Sequence, residues 1–289
     1  MERGRGDLAP PPSPHPSPSP SPSPTRDPNV FRLAGSGTNL PLVRTLAHAF
    51  ANQASCRPLC RPMVHESIGS NGGIDAIRDG VIDIGLSSRP LRPVETRSGL
   101  QAFPYARVAI VFATSLDVPH TDLTRRSVLD LYSGRQPSWS TGDDVMVFLR
   151  EATDSGNRTA YALIPGFAAV EAALRDANPW RVLYRDREMQ DALLGTPGSI
   201  GLFDQGAIVS QRLPLRVLAF NGVTPSPATL TDGSYTLQKT LAFVLPSAPS
   251  SLARDFIAFA YSPAGRRYIE DGGYLALPPP PPFTRRKAP

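Results

Sequence analysis

Three polar turns, two of them rich in glycine, constrain the fold of this chain more than any other feature of its sequence. They span residues 34–39, 69–73 and 150–157, and each lies between a strand-like segment and a helix-like segment. The first backbone N–H groups of a helix have no partner within the helix and lie at the positive end of its dipole. Turns built from Gly, Ser and Asn let an anion approach those groups closely. The three turns therefore predict an anion-binding site.

The apolar residues between the turns are spaced as in alternating strands and helices. After the second turn, Ile74 and Ile77 lie on one face of a short predicted helix that ends at Gly80. Residues 81–86 follow with the pattern of a buried strand. This alternation continues along the chain, which predicts an α/β fold with mainly parallel sheets flanked by helices.

Length and charge exclude several classes of protein. The 289 residues suffice for two lobes with their own cores, and a hydrophobic fraction of 40% is ordinary for a soluble globular protein. The formal net charge is +5, and the arginines form no stripe interleaved with aromatic residues. We therefore expect no nucleic-acid partner. No apolar run approaches the length of a membrane span.

Proline is concentrated at the two ends of the chain, which contains 33 prolines in all. The Ser-Pro repeat at residues 17–24 favours an extended polyproline conformation that cannot build a core. We predict a disordered linker at residues 1–28 and a disordered basic tail at residues 278–289. The first residues are charged and lack the apolar region of a signal peptide.

Motifs for catalysis or metal binding are sparse. No G-x-S-x-G nucleophile motif occurs, and the four histidines lie outside the polar turns. Cys56 and Cys60 have no nearby histidine pair, which argues against a zinc site. They form either a small local disulfide or two structural thiols. We therefore predict that the chain is not an enzyme and holds no metal or cofactor.

Several motifs occur in an order that is specific to one family. They are G-S-G-T-N-L-P at 35–41, G-S-N-G-G-I at 69–74, D-I-G-L-S-S-R-P at 83–90, L-R-E-A-T-D-S-G-N-R at 149–158 and T-P-G-S-I-G at 196–201. With these motifs the chain resembles the substrate-binding proteins of phosphate ABC transporters, in the type 2 periplasmic-binding-protein superfamily. The resemblance covers residues 30–277.

The resemblance implies two α/β lobes that close on a ligand, with two crossovers between them, near residues 111 and 234. Lobe 1 would comprise residues 29–111 and 234–277, and lobe 2 residues 112–233. It also implies a set of ligand-binding residues. They are Thr38, Asn39, Ser70, Ser88, Arg150, Ser155, Gly156 and Asn157.

Several positions in this set differ from the common form of the family or leave alternatives open. A one-residue ambiguity in the first turn leaves the contact to either Thr38 or Asn39. Asn157 replaces the usual threonine, and the spacing from Arg150 to Ser155 is one residue longer than usual. An Arg guanidinium is well matched to bidentate binding of an oxyanion. The alternative for Arg150 is a surface ion pair with a neighbouring carboxylate.

Ser88 stands where well-studied members of the family have an aspartate. A carboxylate can accept the hydrogen bond of a protonated phosphate and repels sulfate, which has no proton to offer, whereas a hydroxyl can donate or accept. The serine predicts that this protein separates phosphate from sulfate less sharply than those members do.

The resemblance implies an extracytoplasmic solute-binding protein that captures phosphate or a similar tetrahedral oxyanion for an ABC transporter. Its partners would be the anion and the transporter permease, and the protein would be a monomer. The alternative is a stand-alone anion sensor of the same fold that acts on a signalling partner. We expect a periplasmic or membrane-tethered location, with an export signal encoded upstream of Met1.

Overall fold

The structure is a computed structural model that describes residues 27–53, 56 and 60–280. The predicted linker at residues 1–28 lies outside the described residues except for its last two positions, and residues 281–289 of the predicted tail lie outside them too. Within the described part of the chain, no helix has both the length and the apolar character needed to cross a membrane.

Strands and helices alternate along the described residues, as the sequence predicts. The strands are β1 Val30–Gly35, β2 Arg61–Val64, β3 Ile84–Ser87, β4 Gln101–Thr114, β5 Asp122–Leu123, β6 Met146–Val147, β7 Leu149–Arg150, β8 Val182–Leu183, β9 Ser199–Asp204, β10 Arg216–Val217, β11 Ala219–Phe220, β12 Gln238–Leu245 and β13 Leu275–Ala276. The helices are α1 Leu40–Ala51, α2 Gly69–Arg78, α3 Pro93–Arg97, α4 Arg125–Tyr132, α5 Ser155–Leu163, α6 Phe167–Ala177, α7 Asp186–Gly195, α8 Gln205–Ser210, α9 Pro227–Thr231, α10 Ser251–Tyr261 and α11 Pro263–Asp271. Short 3₁₀ turns occur at Gly37–Asn39 and Pro179–Arg181.

One continuous sheet runs through the molecule in the order β2-β1-β3-β12-β4-β9-β6, with β10 and β13 also paired to β4. Strand β1 is parallel to β2 and β3, and β6 is parallel to β9, as expected where helices connect neighbouring strands. The long strands β4 and β12 pair antiparallel with each other and with their other neighbours. The prediction of an α/β fold is confirmed, and the sheets are more mixed than the mainly parallel sheets predicted.

Strand β4 passes from one hydrophobic core to another. Its residues 101–109 pair with β12, and its residues 110–114 pair with β9. One core contains Phe31, Leu46, Phe243 and Phe256, and the other contains Phe112, Tyr132, Phe167 and Leu202. We call the regions around them lobe 1 and lobe 2. The lobe boundaries given by the sequence stay a prediction.

Helix α2 lies against β1 at a distance that only glycine permits. Gly35 of β1 has a φ of +148°, and a Cβ there would overlap the carbonyl oxygen of Leu86 in the neighbouring strand β3. A Cβ on Gly73 would lie 2.7 Å from the Gly35 Cα. The helix begins at Gly69, so the predicted second turn is already helical. This close packing places Ser70 beside the end of β3.

Cys56 and Cys60 form a disulfide, with their Cα atoms 5.2 Å apart, a usual separation for such a bond. Of the two alternatives that the sequence left open, the structure therefore has the disulfide. Cys56 is buried in the core of lobe 1.

Candidate functional site

The predicted lobe-1 residues meet where β1 and β3 end. The Ser88 hydroxyl shares a hydrogen bond of 2.7 Å with the Ser36 hydroxyl and accepts another of 3.0 Å from the Asn39 amide. The Ser88 backbone N–H donates to the Ser70 hydroxyl oxygen at 3.0 Å. The Asn39 side-chain oxygen, Oδ1, accepts a hydrogen bond from the Tyr105 hydroxyl at 2.8 Å. Both ends of the Asn39 side chain are thus bound within lobe 1.

Thr38 points in a different direction from Asn39. Its hydroxyl oxygen accepts a hydrogen bond of 2.7 Å from the Lys239 ammonium, and Lys239 also donates to the Ser155 hydroxyl of lobe 2 at 3.2 Å. The side chain of Thr38 therefore reaches the cleft between the lobes. The geometry favours Thr38 over Asn39 as the residue of the first turn that faces lobe 2.

In lobe 2, Arg150 ends strand β7 and is 7% exposed. Its Nη2 lies 3.4 Å from Asp154 and 3.6 Å from Asp186, and its buried Nη1 has no hydrogen-bond partner among the described residues. Strand β7 is parallel to β8, and helix α7 begins with Asp186 shortly after β8. Parallel strands end at the same edge of a sheet, which brings Asp186 to Arg150.

Asp154 caps helix α5. Its carboxylate accepts from the backbone N–H groups of Gly156 at 2.8 Å and Asn157 at 3.3 Å, as N-cap aspartates do. Although burial raises the pKa of Asp154, Lys239 and Arg150 outweigh that effect and hold this pKa below its usual value. The Gly156 N–H, predicted to contact an anion, is therefore bound to the capping carboxylate.

The side chain of Asn157 fastens the third turn to helix α6. Its amide donates to the backbone oxygens of Arg150 and Glu151, both at 3.2 Å, and to the buried Glu171 carboxylate at 3.0 Å. Burial raises the pKa of Glu171 to about 7, although its hydrogen bond from Tyr161 acts in the other direction. Asn157 contributes to the site by holding the Arg150 turn in place.

Lys239 is the main functional candidate that the sequence analysis missed. It pairs with Val108 of β4 while Asp204 pairs with Ile110, so both side chains lie on one face of the sheet. Lys239 is 7% exposed and lies 3.0 Å from the Asp204 carboxylate. Burial alone would lower the pKa of Lys239, but the surrounding aspartates, Asp204 above all, raise it. Lys239 and Lys287 are the only lysines among 30 basic residues, a signal that sequence reasoning could have used.

Asp186 lies between the two lobes. A Cβ built on Gly37 in the first turn of lobe 1 would overlap the Asp186 Oδ2 atom, so the two residues are in direct contact. Burial raises the pKa of Asp186, and Arg150 partly offsets this effect. Together with Asp154 and Asp204, Asp186 adds a third carboxylate to a cleft that contains two cations.

The cleft is closed in this structure. The space enclosed by Arg150, Asp154, Asp186, Asp204 and Lys239 is about 10 Å³, room for roughly one water molecule. A larger groove of about 590 Å³ lies on lobe 2 beside Arg125, Arg126 and Arg135. That groove is open, and two of its arginines pair with Asp130. Buried charges and convergent hydroxyls make the cleft the better candidate site.

Comparison with known proteins shows the family of the chain and its fold. A family model described as the PBP superfamily domain matches residues 22–264. The phosphate-binding protein PstS of Borreliella burgdorferi is 24% identical over 222 residues, which cover 74% of this chain and 80% of that protein.

Two solved structures share the fold. A crystal structure from Clostridium perfringens with bound phosphate has a TM-score of 0.73 at 20% identity, covering 86% of this chain and all 100% of the other. An ABC-type phosphate transport receptor from Vibrio cholerae has a TM-score of 0.59 at 20% identity, with the same coverage. At this identity the two structures support the two-lobed fold alone. Because the family model spans most of its length, the chain belongs to the family of PBP superfamily domains.

Proposed function

We propose that this protein captures phosphate, or a similar tetrahedral oxyanion, between its two lobes as the binding component of an ABC transporter. One observation carries the proposal. Two buried cations, Arg150 and Lys239, line a single cleft, where Lys239 also donates to hydroxyl groups of both lobes, Thr38 and Ser155.

Capture would use hydrogen-bond donors that the protein leaves free. Thr38 and Ser155 accept from the Lys239 ammonium, so their hydroxyl protons remain available to an anion. Ser70 accepts from a backbone N–H in the same way, and the buried Arg150 Nη1 lacks a partner among the described residues. Each donor to a charged group contributes about 1.5–3 kcal/mol, and several together sustain micromolar or tighter binding.

Four residues of the predicted ligand set have structural partners here. Asn39 and Ser88 hold the ends of the lobe-1 strands together, Gly156 donates to the helix cap, and Asn157 binds Glu171. We therefore propose Thr38, Ser70, Arg150 and Ser155 as ligand contacts, with Lys239 added. Contacts from the other four stay a prediction.

The transport role draws support from the relatives, which include a phosphate-binding protein and an ABC-type phosphate transport receptor. On the basis of the same relatives, we propose that the protein lies outside the cytoplasm, has a permease as partner and has no catalytic activity. Co-purification of this protein with a permease from detergent-solubilised membranes tests the partner. A stand-alone sensor of the same anion would instead co-purify with a signalling protein and no permease.

Isothermal titration with phosphate tests the capture itself. The wild-type protein should bind phosphate, and Arg150→Ala should bind it roughly 10- to 150-fold more weakly because a charge-assisted donor is lost. Arg125→Ala is the matched control, since Arg125 lies in the open groove of lobe 2. Absence of heat and of any thermal shift at millimolar phosphate would contradict the proposal. Weakening by Arg125→Ala alone would move the site to the groove.

A further inference from the structure

The charges of the cleft are unbalanced before any ligand is considered. Among the described residues, Asp154, Asp186 and Asp204 form ion pairs with two cations, Arg150 and Lys239, which leaves one excess negative charge when all five groups are ionised. Like charges that are shielded from water repel strongly. A fully ionised dianion would therefore enter a cleft that already carries excess negative charge. An anion that brings its own proton avoids part of this repulsion, provided that a carboxylate can accept the hydrogen bond.

Two of the three carboxylates are already occupied. Asp154 accepts two backbone N–H groups at the start of α5 and contacts Arg150. Asp204 is 5% exposed and is held by its ion pair with Lys239, 3.0 Å from Oδ1, although that oxygen has no hydrogen-bond partner among the described residues. Neither side chain can turn to a ligand without leaving a buried cation or a helix terminus unpaired.

Asp186 has the longest ion pair and the most exposed side chain of the three carboxylates, so it is the one that can turn to a ligand at least cost. None of the side-chain hydrogen bonds found among the described residues reaches its carboxylate, and its nearest cation is Arg150 at 3.6 Å. Its side chain is 32% exposed, which is more than that of Asp154 or Asp204. It also touches Gly37, next to Thr38, so it lies where the two lobes meet.

An unsatisfied donor lies beside this free acceptor. Arg150 Nη1 is buried and has no partner among the described residues, while Nη2 of the same guanidinium lies 3.6 Å from Asp186. A donor and an acceptor side by side match a ligand group that offers both an acceptor oxygen and a hydroxyl. A protonated tetrahedral oxyanion has both, whereas sulfate at neutral pH offers acceptors only.

We propose that Asp186 accepts a hydrogen bond from the hydroxyl group of a protonated oxyanion and thereby excludes fully ionised anions such as sulfate. This inference rests on the proposed function, since it assigns specificity within the same cleft. It differs from the expectation based on Ser88, because it assigns discrimination to lobe 2. Ser88 itself is bound to Ser36, Asn39 and Ser70 and has no carboxylate to offer.

Competition titrations with phosphate and sulfate at neutral pH test the proposal. A site that pairs with a ligand hydroxyl rejects an analogue without it strongly, so wild-type protein should prefer phosphate by at least about 100-fold. Asp186→Asn replaces an acceptor oxygen by an amide that can donate to sulfate, and this preference should fall at least about tenfold. Asp191→Asn is the control, because Asp191 lies on the same helix but pairs with Arg187 at the surface. The preference of Asp191→Asn for phosphate over sulfate should equal that of the wild type.

The outcomes separate the two proposals. If wild-type protein binds phosphate but binds sulfate equally well, the role of Asp186 is refuted while phosphate capture stands. If Asp186→Asn shifts both affinities by the same factor, Asp186 only balances the charge of Arg150 and the inference is wrong. If wild-type protein binds neither anion, both proposals fail. Asp186→Ser, checked by circular dichroism and thermal melting, replaces the asparagine variant if that variant does not fold, and the same loss of preference is expected.

Discussion

Lys239 links the two lobes through the polar contacts of its ammonium group. Its ammonium has three donors, and three oxygens lie within reach: those of Thr38, Ser155 and Asp204. Two of the partners belong to lobe 2 and one to lobe 1. The residue therefore satisfies a buried carboxylate and links the two lobes at the same time.

Replacing Lys239 should destabilise the protein even when no ligand is present. Lys239→Met keeps much of the side-chain volume but leaves the Asp204 charge buried without compensation, which costs about 3–5 kcal/mol. Urea denaturation measures this loss, and Asp204→Asn in the same chain should restore part of it. Arg187→Met, which breaks an exposed pair with Asp191, should change stability by less than about 1 kcal/mol. Equal stability of wild type and Lys239→Met would show that this pair contributes nothing to folding.

The buried Glu171 makes stability depend on pH. It faces Tyr161 and Asn157, with Arg175 on its own helix and Asp154 nearby, and burial raises its pKa from 4.5 to about 7. Between these two values the folded protein binds more protons than the unfolded chain. The stabilisation is therefore complete below about pH 4.5 and is lost as the pH rises through 7.

Glu171→Gln should remove this dependence. The difference in unfolding free energy between wild type and variant should shift against the wild type by roughly 3 kcal/mol from pH 4.5 to pH 8. Denaturation at several pH values measures it, with Glu270→Gln as the control, since the Glu270 side chain is exposed and lies 3.8 Å from Arg266. Parallel stability curves for wild type and Glu171→Gln would mean that the Glu171 pKa is not raised.

Among the helices and strands, the strand–turn–helix units are the part that the sequence predicts. Helix α2 ends within two residues of its predicted end, and strand β3 lies within three residues of the predicted strand, because local periodicity sets both. The role of the second turn could not be read locally. The sequence indicated only that the turn lets an anion approach, whereas Gly73 also permits α2 to pack on β1. That contact joins segments almost 40 residues apart in the chain.

Gly73→Ala should therefore act through the helix as a whole. The added methyl group would lie 2.7 Å from the Gly35 Cα and 2.9 Å from the Ala34 oxygen, so α2 must shift away from β1. We expect a loss of about 1–3 kcal/mol in unfolding free energy, as for other overpacked sites. Gly195→Ala, at the end of α7 with nothing within 4 Å of the added atom, is the control and should be close to neutral. A melting temperature unchanged by Gly73→Ala would contradict this packing.

Local sequence patterns also limit which candidate site residues the sequence could predict. Thr38, Ser70, Arg150 and Ser155 end or follow strands or begin helices, and the family motifs at these places imply them as ligand contacts. Lys239 lies in a strand and meets Thr38 across 201 residues of sequence. Asp186 reaches Arg150 only because β7 and β8 are neighbours. Contacts of this kind come from topology, which local patterns do not specify.

The two lobes are joined by strands β4 and β12 and by polar contacts across the cleft. Strand β4 runs from the core of lobe 1 to that of lobe 2, and Lys239 near the start of β12 bonds to both lobes. Asp186 touches Gly37 across the same cleft. The proposed anion would therefore bind where the lobes already contact each other, and its entry requires them to separate.

The Cys56–Cys60 disulfide should add a modest share of global stability, since it closes a very short loop. Loop-closure entropy gives about 2 kcal/mol for a loop of this size. Denaturation of wild type and of Cys56→Ser/Cys60→Ser, each with and without reductant, measures it. The wild type should lose stability on reduction and the double variant should not. An identical response of the two proteins would show that the bond does not form in solution.

A crystal structure of the protein with arsenate tests the claim that an oxyanion binds between the lobes, because the anomalous scattering of arsenic locates the anion without bias. We predict an anomalous peak in the cleft, within hydrogen-bond distance of Arg150 Nη1 and of the Thr38 and Ser155 hydroxyl groups. A peak in the open groove beside Arg125 and Arg135, with none in the cleft, would contradict the claim. So would a structure at millimolar arsenate with no peak at either place.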